Sequence, residues 1–224
     1  MARPATGTAL AGLTAARPHS RRDPLAGVEL LALDLETTGL DPRRHEVLAI
    51  GLVPVVAGEV VLGGARGQRV RPAGSVGGSA VVHGLTDDAL AGEPLLEQVL
   101  PEVLGAMLDG SATTPRRRVL LAHFAQIERD FLAAACRRTY GAVVRMPVVD
   151  TLELERRLLR ARPDEVPPGR LRLDACRRAH GLPRYAAHDP VTDALACAEL
   201  FLAQCAVLQE RLRRPLRLGD VLVR

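Results

Sequence analysis

The chain contains no tryptophan, and three Phe and two Tyr bring its aromatic content to only 2%. A core of ordinary size must therefore be built from Leu, Val and Ala rather than from rings. Lysine is also absent, so arginine alone supplies the basic side chains behind the formal charge of +4 and the pI of about 9.3. That balance favours a polyanionic partner only mildly, and the runs at Arg21–Arg22, Arg116–Arg118 and Arg213–Arg214 read first as solvated faces. Cys136, Cys176, Cys197 and Cys205 lie far apart, without a C-x-x-C pair or a Cys/His spacing suited to zinc, which fits a reducing, cytoplasmic setting. No stretch reads as the roughly 18 apolar residues of a membrane span. The apolar segment after Arg3 is broken by Gly12 and Thr14, so a signal peptide is only the secondary reading there. No membrane partner is expected.

The 224 residues, 47% of them hydrophobic, suffice for one good core. Residues 1–26 are rich in Ala, Arg and Pro without a sustained hydrophobic period, which predicts a flexible or loosely docked N-terminal arm. Continuous apolar runs at 28–35 and 46–56 predict buried strands, and Gly58 predicts a hairpin leading on toward residues 68–71. A helical stripe follows over 94–108, then a short buried strand at 118–122 and a helix from about residue 126. Short helices are expected at 151–160 and 170–180, separated by the breaker-rich stretch 163–169. The clearest element is the last helix, where Val191, Leu195, Ala198, Phe201, Cys205, Leu208 and Leu212 recur at steps of three or four, with Pro215 as its limit. No internal repeat is visible. Strands followed by a helix, a strand and several helices give an α/β class, a mixed sheet with helices on its faces.

Chemistry concentrates first in residues 31–40, L-A-L-D-L-E-T-T-G-L. A strand period of two places Asp34 and Glu36 on one face. Two ionised carboxylates held that close repel each other unless a proton or cation is shared, and such hard oxygen ligands suit magnesium or manganese. A bare D-x-E is also compatible with a strand end that caps a turn near Gly39.

The string D-L-E-T-T-G-L resembles the first motif of the DEDD exonuclease superfamily, and residues 119–132, V-L-L-A-H-F-A-Q-I-E-R-D-F-L, resemble the second. The third resemblance is H-D-P-V-T-D from His188 to Asp193, a histidine five residues before an aspartate, as in the histidine-bearing, DnaQ-like (polymerase III epsilon-like) branch. Two lesser matches are His83-Gly-Leu-Thr86 and residues 149–152. The likeness runs from about residue 28 to 204. It implies a ribonuclease H-like mixed sheet flanked by helices, with an exonuclease domain at 27–212 and a C-terminal tail at 213–224 that is a candidate contact segment. It also implies a 3′→5′ exonuclease using two Mg2+ or Mn2+ ions to release nucleoside 5′-monophosphates. In that scheme Asp34 bridges the ions, Glu36 and Asp193 complete one site, Glu128 serves the other, and His188 is the general base. Thr37, Thr38 and Leu40 would line the terminal-nucleotide pocket and His83 would border it, while His123 and His180 read as structural. The second motif departs from the family: Phe124 stands where Asn is usual, Ile127 where an aromatic is, and Glu128 where Asp is. Asp130 is the rival acid, and two residues that close on a helix point in very different directions. Single-stranded DNA is the favoured substrate, with a polymerase or another protein as a possible partner. The alternatives are RNA trimming, as in ribonuclease T or oligoribonuclease, and a non-catalytic nucleic-acid-binding module of the same fold.

Overall fold

Alternation along one central strand organises the two cores. The computed structural model describes residues 6–110, 114–143, 145–160, 166–186 and 188–223. Among them, the strands are β1 (Leu30–Thr37), β2 (Val47–Val56), β3 (Glu59–Val60), β4 (Arg66–Arg69), β5 (Val119–Ala122) and β6 (Val148–Asp150). They form one mixed sheet in the order β3-β2-β1-β5-β6, with β4 also paired to β2. β1 runs antiparallel to β2 and parallel to β5. The described helices are α1 (Thr6–Ala15), α2 (Ala80–His83), α3 (Asp87–Leu90), α4 (Leu96–Ala106), α5 (Gln126–Tyr140), α6 (Thr151–Leu159), α7 (Leu173–Ala179), α8 (Pro190–Leu212) and α9 (Leu218–Val221).

Leu31, Leu33 and Leu35 point to the face covered by α1, α4 and α5, where they meet Leu100, Leu104, Met107 and Phe131. Leu30 and Ala32 point to the other face and meet Ala194, Cys197, Ala198 and Phe201 of α8. Asp34 and Glu36 continue this second parity, so the same side of the strand passes from apolar to acidic as it nears its C-terminal end. All four cysteines are free thiols.

Three expectations need correction. Residues 6–15 form a docked helix rather than a loose arm: Leu13 is fully buried in the core beside α4, and the backbone of Arg17 bonds to Pro115 and Arg117. The segment 213–224 is likewise no free tail, because Leu216, Leu218, Val221 and Leu222 belong to the second core and Leu216 accepts a backbone bond from Leu25. Finally, α8 is long and apolar enough to cross a membrane by length and composition. Its buried face instead packs on β1, β2 and β5, which accounts for its hydrophobicity.

Replacing Leu13 by Ala should lower unfolding stability by about 2–5 kcal/mol, the usual cost of a buried leucine. Denaturant titration checks this, and a change below about 0.5 kcal/mol would return the first helix to the status of an arm.

Candidate active site

The acidic end of β1 is open because the residues opposite it are small. Asp34 pairs in register with Gly51 and Glu36 with Ala49, while Gly67 of β4 lies beside Gly51. The first turn of α8 settles into this trough. A Cβ at Gly51 would stand 2.0 Å from the carbonyl oxygen of Pro190, and one at Gly67 would stand 2.8 Å from Val191 Cγ2. Both glycines are thus required by close approach of another chain segment. Asp189 caps the helix by accepting the Thr192 N–H at 2.8 Å, and Pro190 occupies the first turn, where its missing N–H costs nothing.

This seating brings Asp193 to the strand. Ligand atoms of Glu36, His188 and Asp193 lie within 4.8 Å of one another. The backbone N–H of His188 donates to Asp193 Oδ2 at 2.7 Å, and His188 holds a left-handed φ of 71° that leaves its side chain exposed. Glu128, in the first turn of α5, is buried, and its Oε2 has no hydrogen-bond partner. Burial pushes its carboxyl up to about 8, with Asp150 adding repulsion. Glu36 is raised to about 7 by burial and by Asp193 and Asp189. Asp34 is raised well above the carboxylate range by burial first, then by Glu128, Asp193, Glu36 and Asp189. Asp193 is raised by burial as well. Acids that resist ionisation in one another's company, with a buried oxygen still unpartnered, fit a site for divalent cations of the hard, oxygen-binding kind.

The structure therefore gathers Asp34, Glu36, Glu128, His188 and Asp193. Asp130 is turned elsewhere: its carboxylate pairs with Arg129 at 3.2 Å and faces a separate apolar cavity lined by Leu13, Met107 and Cys136. An exposed position for Glu128 is excluded. Thr37 Oγ1 donates to the Gly39 carbonyl at 2.8 Å and Thr38 Oγ1 accepts the Glu46 N–H at 3.0 Å, so both hydroxyls help fix the turn while the Thr38 O–H is still free to donate. Leu40 projects from that turn, 72% exposed. His83 lies close enough to His188 to feel its charge; burial and then His188 lower its pKa. His123 and His180 are tied into the scaffold. His123 bonds Thr151 Oγ1 and the Leu171 carbonyl, both at 2.8 Å, and His180 Nε2 meets Glu155 at 2.8 Å.

Sequence reasoning missed Asp189 as a fifth acid of the cluster, although its place before a proline at a helix start was a cap signal. It also missed the arginines. A cavity of about 500 Å³ reaches Asp34, His188 and Asp193 and is walled in addition by Arg172, Arg177, Arg178 and Arg184. Arg177 bonds Glu199 and the Ala196 and Pro183 carbonyls through its two terminal nitrogens, with its guanidinium 4.5 Å from the Tyr185 ring and its Nε buried without a partner.

Comparison with known proteins gives a consistent pattern. The signature of a family described as Exonuclease (RNase_T) matches residues 31–201. DNA polymerase III PolC-type of Thermotoga maritima is 30% identical over 173 residues, 77% of this chain, and the chain spans only 11% of that relative's length. DNA polymerase III subunit epsilon of Aquifex aeolicus is 26% identical over 191 residues, covering 81% of this chain and 82% of the relative. Among solved structures, the nuclease domain of 3′hExo, a DEDDh family member bound to rAMP, has a TM-score of 0.65 at 18% identity, covering 88% of this chain and 96% of that one. Exonuclease X in complex with 5′ overhanging duplex DNA has a TM-score of 0.58 at 23% identity, covering 79% and 91%. These likenesses place the fold in the ribonuclease H-like α/β class.

Two predictions follow from the geometry. With Glu128 raised to about 8 against an ordinary 4.5, the folded, metal-free chain holds more protons than the unfolded one between those values, so this group makes stability fall as pH rises. Melting in EDTA should show Tm falling from pH 6.5 to 8, and Glu128→Gln should flatten the slope; identical slopes in both proteins would contradict the assignment. Gly51→Ala should displace the first turn of α8 and cut metal-dependent turnover by at least about tenfold, whereas a fully active variant would show that the seat is not needed.

Proposed function

The chain belongs to the RNase_T exonuclease family, and from that premise we propose that it hydrolyses single-stranded nucleic acid from the 3′ end, DNA in preference to RNA, one nucleotide at a time. The observation that carries the reading is the convergence of acids from β1, α5 and α8: Glu36 and Asp193 have ligand atoms within 4.8 Å of one another and of His188, Asp34 lines the same cavity as His188 and Asp193, and buried Glu128 lies near enough to Asp34 to raise its pKa. Asp34, Glu36 and Asp193, together with buried Glu128, would hold two ions of magnesium or manganese. Bound there, such ions supply electrostatic stabilisation of the charge that develops on the attacked phosphate and on the departing oxygen.

The chain's own groups do the rest. His188, exposed at the cleft mouth beside Asp193, presents the side-chain base suited to taking a proton from water near neutral pH. Attack on the terminal phosphorus breaks its bond to the 3′ oxygen of the preceding nucleotide, so the phosphate leaves with the released nucleoside as a 5′-monophosphate. Leu40, exposed on the turn, would press on the terminal base, and Thr37 and Thr38 would meet the nucleotide through their backbone, as the resemblance implies. Contacts of that sort carry no base code, so sequence preference is slight. Arg172, Arg178 and Arg184 line the cavity as partners for phosphates. DNA is favoured by the polymerase III names of the relatives, and a DNA polymerase is the protein partner that goes with this reading, as does a bacterial cytoplasm.

Digestion of 3′-labelled single strands of DNA and RNA, with and without magnesium, tests this. Wild type should release mononucleotides, faster from DNA. Asp34→Ala should lose at least about a thousandfold in kcat, Glu128→Gln about a hundredfold, and Asp130→Asn almost nothing. Undiminished turnover by Asp34→Ala would refute the proposal, and magnesium-independent binding without any digestion by wild type would identify a binding module instead.

A further inference from the structure

Phe124 sits at the rim of the cleft and is not used by the reaction just described. In a chain with three Phe and two Tyr, the other two phenylalanines, Phe131 and Phe201, are buried, but Phe124 is 45% exposed. Its backbone is also in the left-handed region, with φ of 67°, where residues larger than Gly, Asn or Asp are disfavoured. An apolar ring held in water on a strained backbone is maintained by its surroundings. Asp150 provides the hold: its two oxygens accept the Phe124 and Ala125 N–H groups at 3.0 Å each, while the same carboxylate caps α6 through the Leu152 N–H at 2.9 Å.

The ring is well placed for a substrate. Phe124 stands just before α5, four residues ahead of Glu128, and borders a cavity shared with His123, Leu152, Arg156, Leu171 and Arg172. His123, Arg172 and Leu173 also line the catalytic cavity, so the two spaces adjoin. Among the described residues Arg172 makes no ion pair, and it lines both cavities, so it can meet a phosphate that bridges them. Aromatic faces beside basic groups hold single strands by stacking on bases with little regard for sequence.

We propose that Phe124 is a substrate-binding residue that stacks on a base upstream of the scissile nucleotide, with Arg172 on the intervening phosphate, so that the second cavity is an internal-nucleotide subsite. The inference rests on the exonuclease reading for its substrate class. Phe124→Asn is the informative variant, because Asn tolerates the left-handed backbone and removes only the ring. In steady-state digestion of a DNA single strand its KM should rise on the order of tenfold with kcat within about twofold of wild type, and Phe124→Tyr should behave as wild type. On strands in which the first internal bases are replaced by abasic sites, wild type and Phe124→Asn should have the same KM. Equal KM for the two proteins on normal DNA, or an undiminished difference on abasic DNA, overturns the proposal.

A binding measurement without turnover separates this inference from the reaction. In an Asp34→Ala background, 2-aminopurine placed one or two positions inside the 3′ end should be quenched on binding, and adding Phe124→Asn should abolish the quenching. Quenching that survives loss of the ring overturns the stacking role even if digestion proceeds as described above. Quenching that depends on the ring supports it even if no digestion is found.

Discussion

Like charges brought together away from water set the terms for this molecule. Among Asp34, Glu36, Glu128, Asp189 and Asp193, burial raises all but Asp189 above their ordinary range, and repulsion from neighbours in the cluster adds to the rise of Asp34, Glu36 and Asp193 while Asp150 adds to that of Glu128. Nothing about that cluster assists folding. It persists because the apolar packing beneath it on both faces of β1 is extensive enough to hold the acid-bearing segments in place. The repulsion then becomes the property a cation exploits, since the protein has already met the cost of assembling the ligands.

The seating of α8 is what turns a strand with two acids into a three-dimensional site. Gly51 and Gly67, side by side on β2 and β4, let the helix start approach the sheet until the Gly51 backbone meets that of Pro190 and Gly67 meets the Val191 side chain. Farther along α8, Gln204 donates to the Thr151 carbonyl at 2.9 Å and to Glu155 at 3.0 Å, and Thr151 in turn bonds His123 beside the cleft. Helix, sheet and cleft wall are thereby joined through the Gln204 amide nitrogen, although Gln204 Oε1 is buried without a partner.

Much of this was legible in the chain. The two-residue period of Asp34 and Glu36 announced a shared face, and the three-to-four spacing from Val191 to Leu212 announced the helix carrying Asp193 at its head. What could not be read depended on partners distant in sequence. Gly51 looks like any glycine in an apolar run until the register sets it opposite Asp34. The choice between Glu128 and Asp130 required the rotation of α5 about its axis, which a mostly polar stretch of helix does not betray. The first helix was missed because residues 6–15 are Ala, Thr, Gly and Leu with no polar face to contrast, so burial of Leu13 left no periodic trace. Leu216, Leu218 and Val221 were overlooked because arginines separate and flank them.

Asp150 carries an implication for how the cleft deforms. One carboxylate gathers N–H groups from the entry to α5 and from the entry to α6, segments 25 residues apart, so the two helix starts share a single pivot. Loss of that one carboxylate would unseat Phe124, Ala125 and the first turn of α6 together, so the ring at the mouth of one cavity and the cap of a distant helix stand or fall as a unit.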